Sequence, residues 1–155
     1  MSFFVHEMEY RGGLISESIQ LRNYKMSDYP EYKTVYEDSF CEMRASLGMR
    51  RECCKSSDEL LSNQGSIFIL EENGHLIGSV AVYGNEIDDL FVAYEYRGKG
   101  YGQKLLRYAV SYLQKRNAGR IFLHVADVNK AAMSMYGDNG FIIVSTEEIL
   151  ARSSK

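Results

Sequence analysis

Between a hydrophobic run and an evident helix lies Arg97-Gly98-Lys99-Gly100-Tyr101-Gly102-Gln103-Lys104, three glycines alternating with cations and one aromatic ring. Glycine permits positive φ and close backbone approach, and a helix start gathers unpaired N–H groups at the positive end of its dipole. A strand, glycine loop and helix in that order are therefore suited to holding an anion, phosphate above all. The plainer alternative is a tight turn whose cations are merely solvated, but glycine at every second position is more than a turn needs. Two familiar phosphate loops do not fit. Gln103 breaks the pattern G-x-G-x-x-G, and the region about 20 residues further on reads Ala118-Gly119-Arg120, with no acid for a ribose. The pattern G-x-x-x-x-G-K-[ST] is absent as well. The loop asks for phosphate or pyrophosphate without naming the molecule that carries it.

Other residue types that could do chemistry stand nearby. Glu86, Asp88 and Asp89 crowd one strand, and strict alternation puts Glu86 and Asp88 on one face and Asp89 on the other. His124 sits between Leu123 and Val125 on a later strand, where it either lines a groove or serves as an ordinary structural histidine. Cys41, Cys53 and Cys54 match neither a disulfide framework nor a zinc spacing. Cys53-Cys54 has no base close in sequence and no helix start, which speaks against an acyl-cysteine intermediate.

Several elements must position these groups. Phe3–Tyr10 and Ile15–Tyr24, separated by Gly12-Gly13, read as an N-terminal hairpin, with residues 1–17 as an extension of a single domain over 1–155. Ser27-Asp28-Tyr29-Pro30 starts a helical region running to residue 63, broken near Gly48 and restarted at Ser56-Ser57-Asp58. Ser66–Glu71 and His75–Tyr83 form a hairpin around Asn73-Gly74, and Ile87–Ala93 is a further strand. A helix is expected from Gly102 to Asn117 with Gly119 as its stop, then a strand Ile121–Val125, a helix Asn129–Gly137 and a strand Phe141–Val144. Thr146–Leu150 adds an edge strand, and residues 152–155 are expected to be flexible. The order predicts an α+β sandwich around one mixed sheet.

A length of 155 residues suffices for one core, and a net charge of −3 gives no electrostatic footprint for nucleic acid. The opening MSFFVHEMEY lacks the marks of a secretory signal. No stretch nears the roughly 18 apolar residues that span a bilayer. A reduced, cytoplasmic setting without metal, membrane or nucleic acid is the expectation.

Arg97-Gly98-Lys99-Gly100-Tyr101-Gly102 resembles the [RQ]-x-x-G-x-[GA] signature of the GNAT superfamily of N-acetyltransferases, which binds the pyrophosphate of acetyl-CoA. The stretch from Asn129 through Tyr136 to Gly140-Phe141 is similar to that family's N-x-x-A-x-x-x-Y-x-x-x-G-F, and the preceding strand fits as well, so the resemblance spans residues 86 to 141. One departure is Tyr94, where members often carry proline.

The resemblance implies a mostly antiparallel sheet of six to seven strands with about four helices, splayed where CoA enters. It implies cofactor contacts from Leu90, Phe91 and Val92 through a backbone bulge, with the Val92 N–H as oxyanion donor, from Arg97, Gly98, Lys99, Gly100, Tyr101, Gly102 and Gln103 at the pyrophosphate, and from Asn129. Tyr136 becomes the acid that protonates the CoA thiolate. A phenol near pKa 10 and a thiol near 8.5 differ by about 1.5 units, roughly 2 kcal/mol. Glu86 and Asp88 become jointly the helpers of amine deprotonation, or else solvated acids at a strand start. The reaction implied is direct attack of a primary amine on acetyl-CoA in a ternary complex. A non-catalytic acyl-CoA sensor and, more remotely, a nucleotide-binding domain are the competing readings. Small molecule, protein N-terminus and lysine all stay open as acceptors, as do monomer and homodimer.

Overall fold

Asn73 and Gly74, with φ of +54° and +77°, turn the chain back on itself between β3 (Ile67–Glu72) and β4 (His75–Tyr83). That turn matches the twist of the antiparallel pair it closes. In the computed structural model, which describes residues 2–49 and 53–150, this hairpin supplies the second and third strands of a seven-stranded sheet. β2 (Arg22–Asn23) pairs with β3, and β5 (Glu86–Val92) runs antiparallel to β4. β6 (Phe122–Ala126) lies parallel to β5, and β1 (Ser2–Tyr10) and β7 (Phe141–Leu150) complete the order β2-β3-β4-β5-β6-β1-β7.

Two apolar layers follow from strand alternation. Phe68, Leu70, Val80 and Val82 face one side, where Leu105, Leu106, Ala109 and Val110 of α3 (Tyr101–Lys115) and Tyr136 of α4 (Lys130–Asp138) cover them. Ile67, Ile69 and Ala81 face the other, against Tyr32 of α1 (Tyr29–Ser46) and Leu60 of α2 (Ser57–Ser62). Gly48 at φ +73° follows the end of α1, and the Ser56 side chain caps α2 by accepting the Glu59 N–H at 3.2 Å. The expected break and restart are both present. α3 ends differently from expectation: Asn117, at φ +57°, takes the left-handed position assigned to Gly119.

The N-terminal hairpin does not form. β1 pairs along its length with β7 and over Val5–Glu9 with β6, while only Arg22–Asn23 of the following stretch is strand. Ile15, Ile19 and Leu21 instead pack on the α3 side of the core. The Gln114 side chain holds this irregular segment by accepting the Ile15 N–H at 2.9 Å and donating to Gly13 O at 3.0 Å. Their alternation reflects burial against a helix face, with no ladder partner. At the opposite end, the expected last strand and edge strand are one, β7, which borders the sheet with Ile142, Ile143 and Val144 exposed. Residues 152–155 lie outside the described residues. Among the described residues no helix is long and apolar enough to cross a membrane.

Two irregularities make room for a ligand. β5 and β6 share only the pairs Glu86↔Phe122 and Ile87↔Leu123 and then part, leaving a wedge through the sheet. The bulge in β5 falls at Asp89–Leu90, since Ala81 opposes Asp88 while Ser79 already opposes Phe91. Asp89 carries φ +47°, a left-handed conformation that side chains seldom adopt. The bulge expected near Val92 therefore lies upstream of it, because Val92 pairs regularly with Gly78.

Candidate active site

The glycine loop is shaped as its composition demands. Gly98 and Gly100 take φ of +77° and +86°, and Gly100 occupies the cap position of α3. The helix's first backbone bond is Lys104 N–H to Gly100 O at 3.2 Å. Among the described residues, the N–H groups of Tyr101, Gly102 and Gln103 therefore have no helix partner and point to the dipole's positive end. A groove of about 390 Å³ opens there, lined by Val92, Arg97, Gly98, Gly100, Tyr101, Gly102 and Gln103 together with Ala132 and Met135 of α4. A Cβ on Gly102 would stand 3.4 Å from Met135 Sδ, so glycine keeps the groove open.

Of the three cations near the loop, only Arg97 lines this groove. Its Nε donates to Val92 O at 2.9 Å and its Nη2 to Ser39 Oγ at 3.1 Å, tying the loop to the end of β5 and to α1. Lys99 and Lys104 stand outside, over the rings of Tyr96 and Tyr101. The Phe91 side chain is core, ringed by Tyr32, Tyr36 and Phe40, so any ligand contact it makes is through its backbone.

A second cavity, about 230 Å³, shares Ala132 and Met135 with the first and occupies the wedge between β5 and β6. Tyr36, Phe40 and Met43 of α1 line it from one layer and Tyr136 of α4 from the other, so it passes through the sheet. Asp88, Asp89, Leu90, His124 and Asn129 face it as well. Asn129 caps α4 at the same time, its Oδ1 accepting the Ala132 N–H at 3.3 Å.

The acids separate into different roles. Because the bulge adds a residue, Asp88 and Asp89 both reach the cavity, against the alternation expected for them. Asp89 is neutralised: Tyr36 Oη donates to it at 3.0 Å and Lys55 Nζ stands 3.2 Å away. Burial works against the Lys55 charge, yet Asp89 and Tyr83 hold its ammonium well above the usual value. Among the described residues no cation forms an ion pair with Asp88, whose Oδ1 accepts the Asp89 N–H at 2.8 Å. Burial, then the Asp89 charge, raise the Asp88 carboxyl above its ordinary value. Glu86 does not line the cavity, and its carboxylate instead takes a 2.7 Å hydrogen bond from His124 Nδ1. Tyr136 is buried beside Phe141 with its phenol pushed up to about 12 by burial and by the Asp88 charge. Burial likewise raises the Cys53 thiol, and pushes Cys54 up to about 11, so neither is a ready thiolate.

A groove at a helix start, sharing a wall with a through-sheet cavity that bears the Tyr136 phenol and the Asp88 carboxylate, invites comparison with known proteins. The profile of the Acetyltransferase (GNAT) family matches residues 20–141. The chain belongs to this family. It is 30% identical over 144 residues to the uncharacterized N-acetyltransferase YobR of Bacillus subtilis, across 90% of this chain and 49% of YobR. The chain spans half or less of the length of the first curated relatives it matches. Among solved structures, a GNAT-family acetyltransferase from Novosphingobium aromaticivorans superposes with a TM-score of 0.72 at 16% identity, over 96% of this chain and 63% of that one. The PaiA N-acetyltransferase of Thermoplasma acidophilum, solved in complex with coenzyme A, does so with 0.68 at 21% identity, over 84% and 93%.

Sequence reasoning missed three participants of this GNAT site. Tyr36 from α1 and Lys55 from the segment before α2 neutralise Asp89, and Glu7 approaches His124 from β1. Ala132 and Met135, which join the two cavities, lie inside the Asn129–Tyr136 motif.

Proposed function

We propose that the chain is an N-acetyltransferase that moves an acetyl group from acetyl-CoA to a primary amine by direct attack in a ternary complex. The carrying observation is the pair of joined cavities, one walled by free backbone N–H groups and the other by Asp88 and Tyr136. The coenzyme A complex of the PaiA N-acetyltransferase, a protein of the same fold, supports the choice of ligand.

The N–H groups of Tyr101, Gly102 and Gln103, with Arg97, hold the pyrophosphate, and the backbone of Leu90–Val92 and the Asn129 side chain guide the arm into the wedge. Asp88 receives the acceptor's ammonium group beside the thioester; once that group has lost a proton to water, its free nitrogen pair attacks the acetyl carbon, and proximity lowers most of the barrier. As the C–N bond forms and the C–S bond lengthens, Tyr136 hydrogen-bonds the departing sulfur. With the phenol at about 12 and a thiol near 8.5, complete transfer is uphill by about 3.5 units, roughly 5 kcal/mol. That exceeds the gap expected from the sequence, so Tyr136 acts chiefly as a hydrogen-bond donor until the sulfur leaves.

The test measures CoA affinity and turnover on a panel of short diamines, arylethylamines and alanine-initiated peptides. Tyr136→Phe should bind CoA within about twofold of wild type and lose about 100-fold in kcat. A wild type that binds CoA tightly yet acetylates no amine would make the domain an acyl-CoA sensor.

A further inference from the structure

The α1 helix turns two adjacent stripes toward the site. Tyr36, Phe40 and Met43, spaced for one helix face, line the through-sheet cavity. Ser39, Glu42 and Ser46 form the next stripe and line a third depression of about 320 Å³, bordered across from them by Val128 and Asn129 of the loop between β6 and α4. Phe40, Met43 and Asn129 border both spaces, so the groove continues the cavity along α1. The α1 part of this shared wall is a ring and a thioether, and a carboxylate stands on either side of it. Asp88 lies in the cavity and Glu42 in the groove.

The other polar side chains of the groove are occupied. Ser46 Oγ donates to Met43 O at 2.7 Å, and Ser39 Oγ donates to Val35 O at 2.7 Å while accepting from Arg97. Asn129 Oδ1 accepts the Ala132 N–H. Among the described residues no cation forms an ion pair with Glu42, which is exposed and ready to accept hydrogen bonds.

We propose that the acceptor is a straight-chain diamine or a longer polyamine. This rests on the acetyl-transfer reading above. The nitrogen to be acetylated sits at Asp88, the methylenes lie against Phe40 and Met43, and the second ammonium group meets Glu42. Only the nitrogen at Asp88 forms the C–N bond; the far ammonium keeps its protons throughout. An arylethylamine would leave Glu42 without a partner. A peptide would carry its amide groups past Phe40 and Met43, which offer them no hydrogen bond of ordinary strength. The cations nearby do not compete for the two acids. Lys55 is held by Asp89, Arg44 is not free, and the Arg97 charge is matched by the pyrophosphate once the coenzyme is bound.

The test compares, on the full chain at saturating acetyl-CoA, straight-chain diamines of increasing length with the amino alcohols of the same length, whose far end is neutral. At the best length kcat/KM should favour the diamine by about fivefold, the scale of an exposed ion pair. Glu42→Gln should erase that preference, with KM for acetyl-CoA within about twofold, and Glu42→Lys should turn it toward the amino acid of that length, whose far end is a carboxylate. Equal kcat/KM for diamine and amino alcohol, or a preference that survives Glu42→Gln, overturns the proposal alone. So does a KM for acetyl-CoA that rises in Glu42→Gln, since the groove would then belong to the coenzyme, and so does turnover confined to arylethylamines or peptides. A wild type that binds acetyl-CoA and acetylates no amine at all overturns the acetyl-transfer reading and the proposal with it.

Discussion

The glycine loop and the acidic end of β5 border the same pair of cavities, yet they are built from different parts of the chain. The loop works with backbone: positive φ at Gly98 and Gly100 and unpaired N–H groups at the start of α3. The end of β5 works with side chains, and its character depends on what lies across from each one. Asp88 and Asp89 are neighbours of the same residue type, but Asp89 is matched by Lys55 and Tyr36, while Asp88 is desolvated and has no ion pair among the described residues. A backbone site is specified by local conformation. A side-chain site is specified by partners far away in sequence.

The sharpest way to break the comparison is to remove the backbone conformation without touching a charge. Nothing lies within 4 Å of a Cβ placed on Gly100, so Gly100→Val acts through φ +86° alone. A left-handed L-residue costs about 1–2 kcal/mol, and more when β-branched, so the loop relaxes and its N–H groups turn away. CoA affinity should fall by about 100-fold, equivalent to about 2.7 kcal/mol, with far-UV circular dichroism unchanged. Calorimetric titration with CoA checks it, and an unchanged Kd would remove the loop from the anion site.

At the acidic end the corresponding change is Lys55→Met, which strands the Asp89 carboxylate. Asp89 is only 9% exposed and Lys55 30%, so the pair is partly sheltered. Breaking such a pair from one side should cost about 2 kcal/mol in urea unfolding, below the 3–5 of a fully buried pair. Lys55→Met combined with Asp89→Asn should recover more than half of that loss, while CoA affinity stays put. Equal losses in single and double variants would mean that Lys55 stabilises through its contact with the Tyr83 ring instead.

This contrast also governs how much could be read from the letters. Glycines at 98, 100 and 102, the Asn73-Gly74 turn and the α3 stripe Leu105, Leu106, Ala109, Val110 and Leu113 are local signals, and each took its expected place. The partners of β1 were not legible, because its pattern says strand and nothing says which neighbour. Its true neighbours, β6 and β7, lie in the second half of the chain. The bulge was expected from the resemblance, but its place at Asp89–Leu90 was not legible, because Asp89, an aspartate, holds a left-handed φ that composition would assign to glycine. That single residue moved Asp89 onto the cavity. The Glu86–His124–Glu7 contacts required knowing that β1 lies beside β6, and Glu86, expected jointly with Asp88 to help deprotonate the amine, is bonded to histidine outside the cavity lining.

Asp88→Asn sharpens the comparison from the side of stability. Burial and the Asp89 charge raise the Asp88 carboxyl, so its folded pKa exceeds the unfolded value near 3.8. For a raised carboxyl the penalty is absent below the unfolded pKa and fully present once pH has risen through the folded one. Asn keeps an oxygen for the Asp89 N–H and carries no charge. The melting temperature of Asp88→Asn at pH 7 should therefore exceed that of wild type by about 1–3 °C, and the gap should close as pH falls toward about 4. Activity should move the opposite way, with KM for the amine up by about 10-fold.

The smallest expected effect lies where the two designs touch. Arg97 is the side chain that reaches from the loop to the Val92 carbonyl at the end of β5, and Ser39 on α1 takes its second hydrogen bond. Ser39→Ala removes one tether and leaves Nε on Val92, so CoA affinity should fall only about 2- to 3-fold, about 0.5 kcal/mol. Arg97→Lys keeps the charge but cannot make both bonds at once, and its loss should be nearer 10-fold. If charge toward the pyrophosphate were all that Arg97 supplied, Arg97→Lys would match wild type and Ser39→Ala would do nothing. A graded loss across the two variants, measured at fixed ionic strength, would mean that Arg97 serves the backbone site by holding it in place.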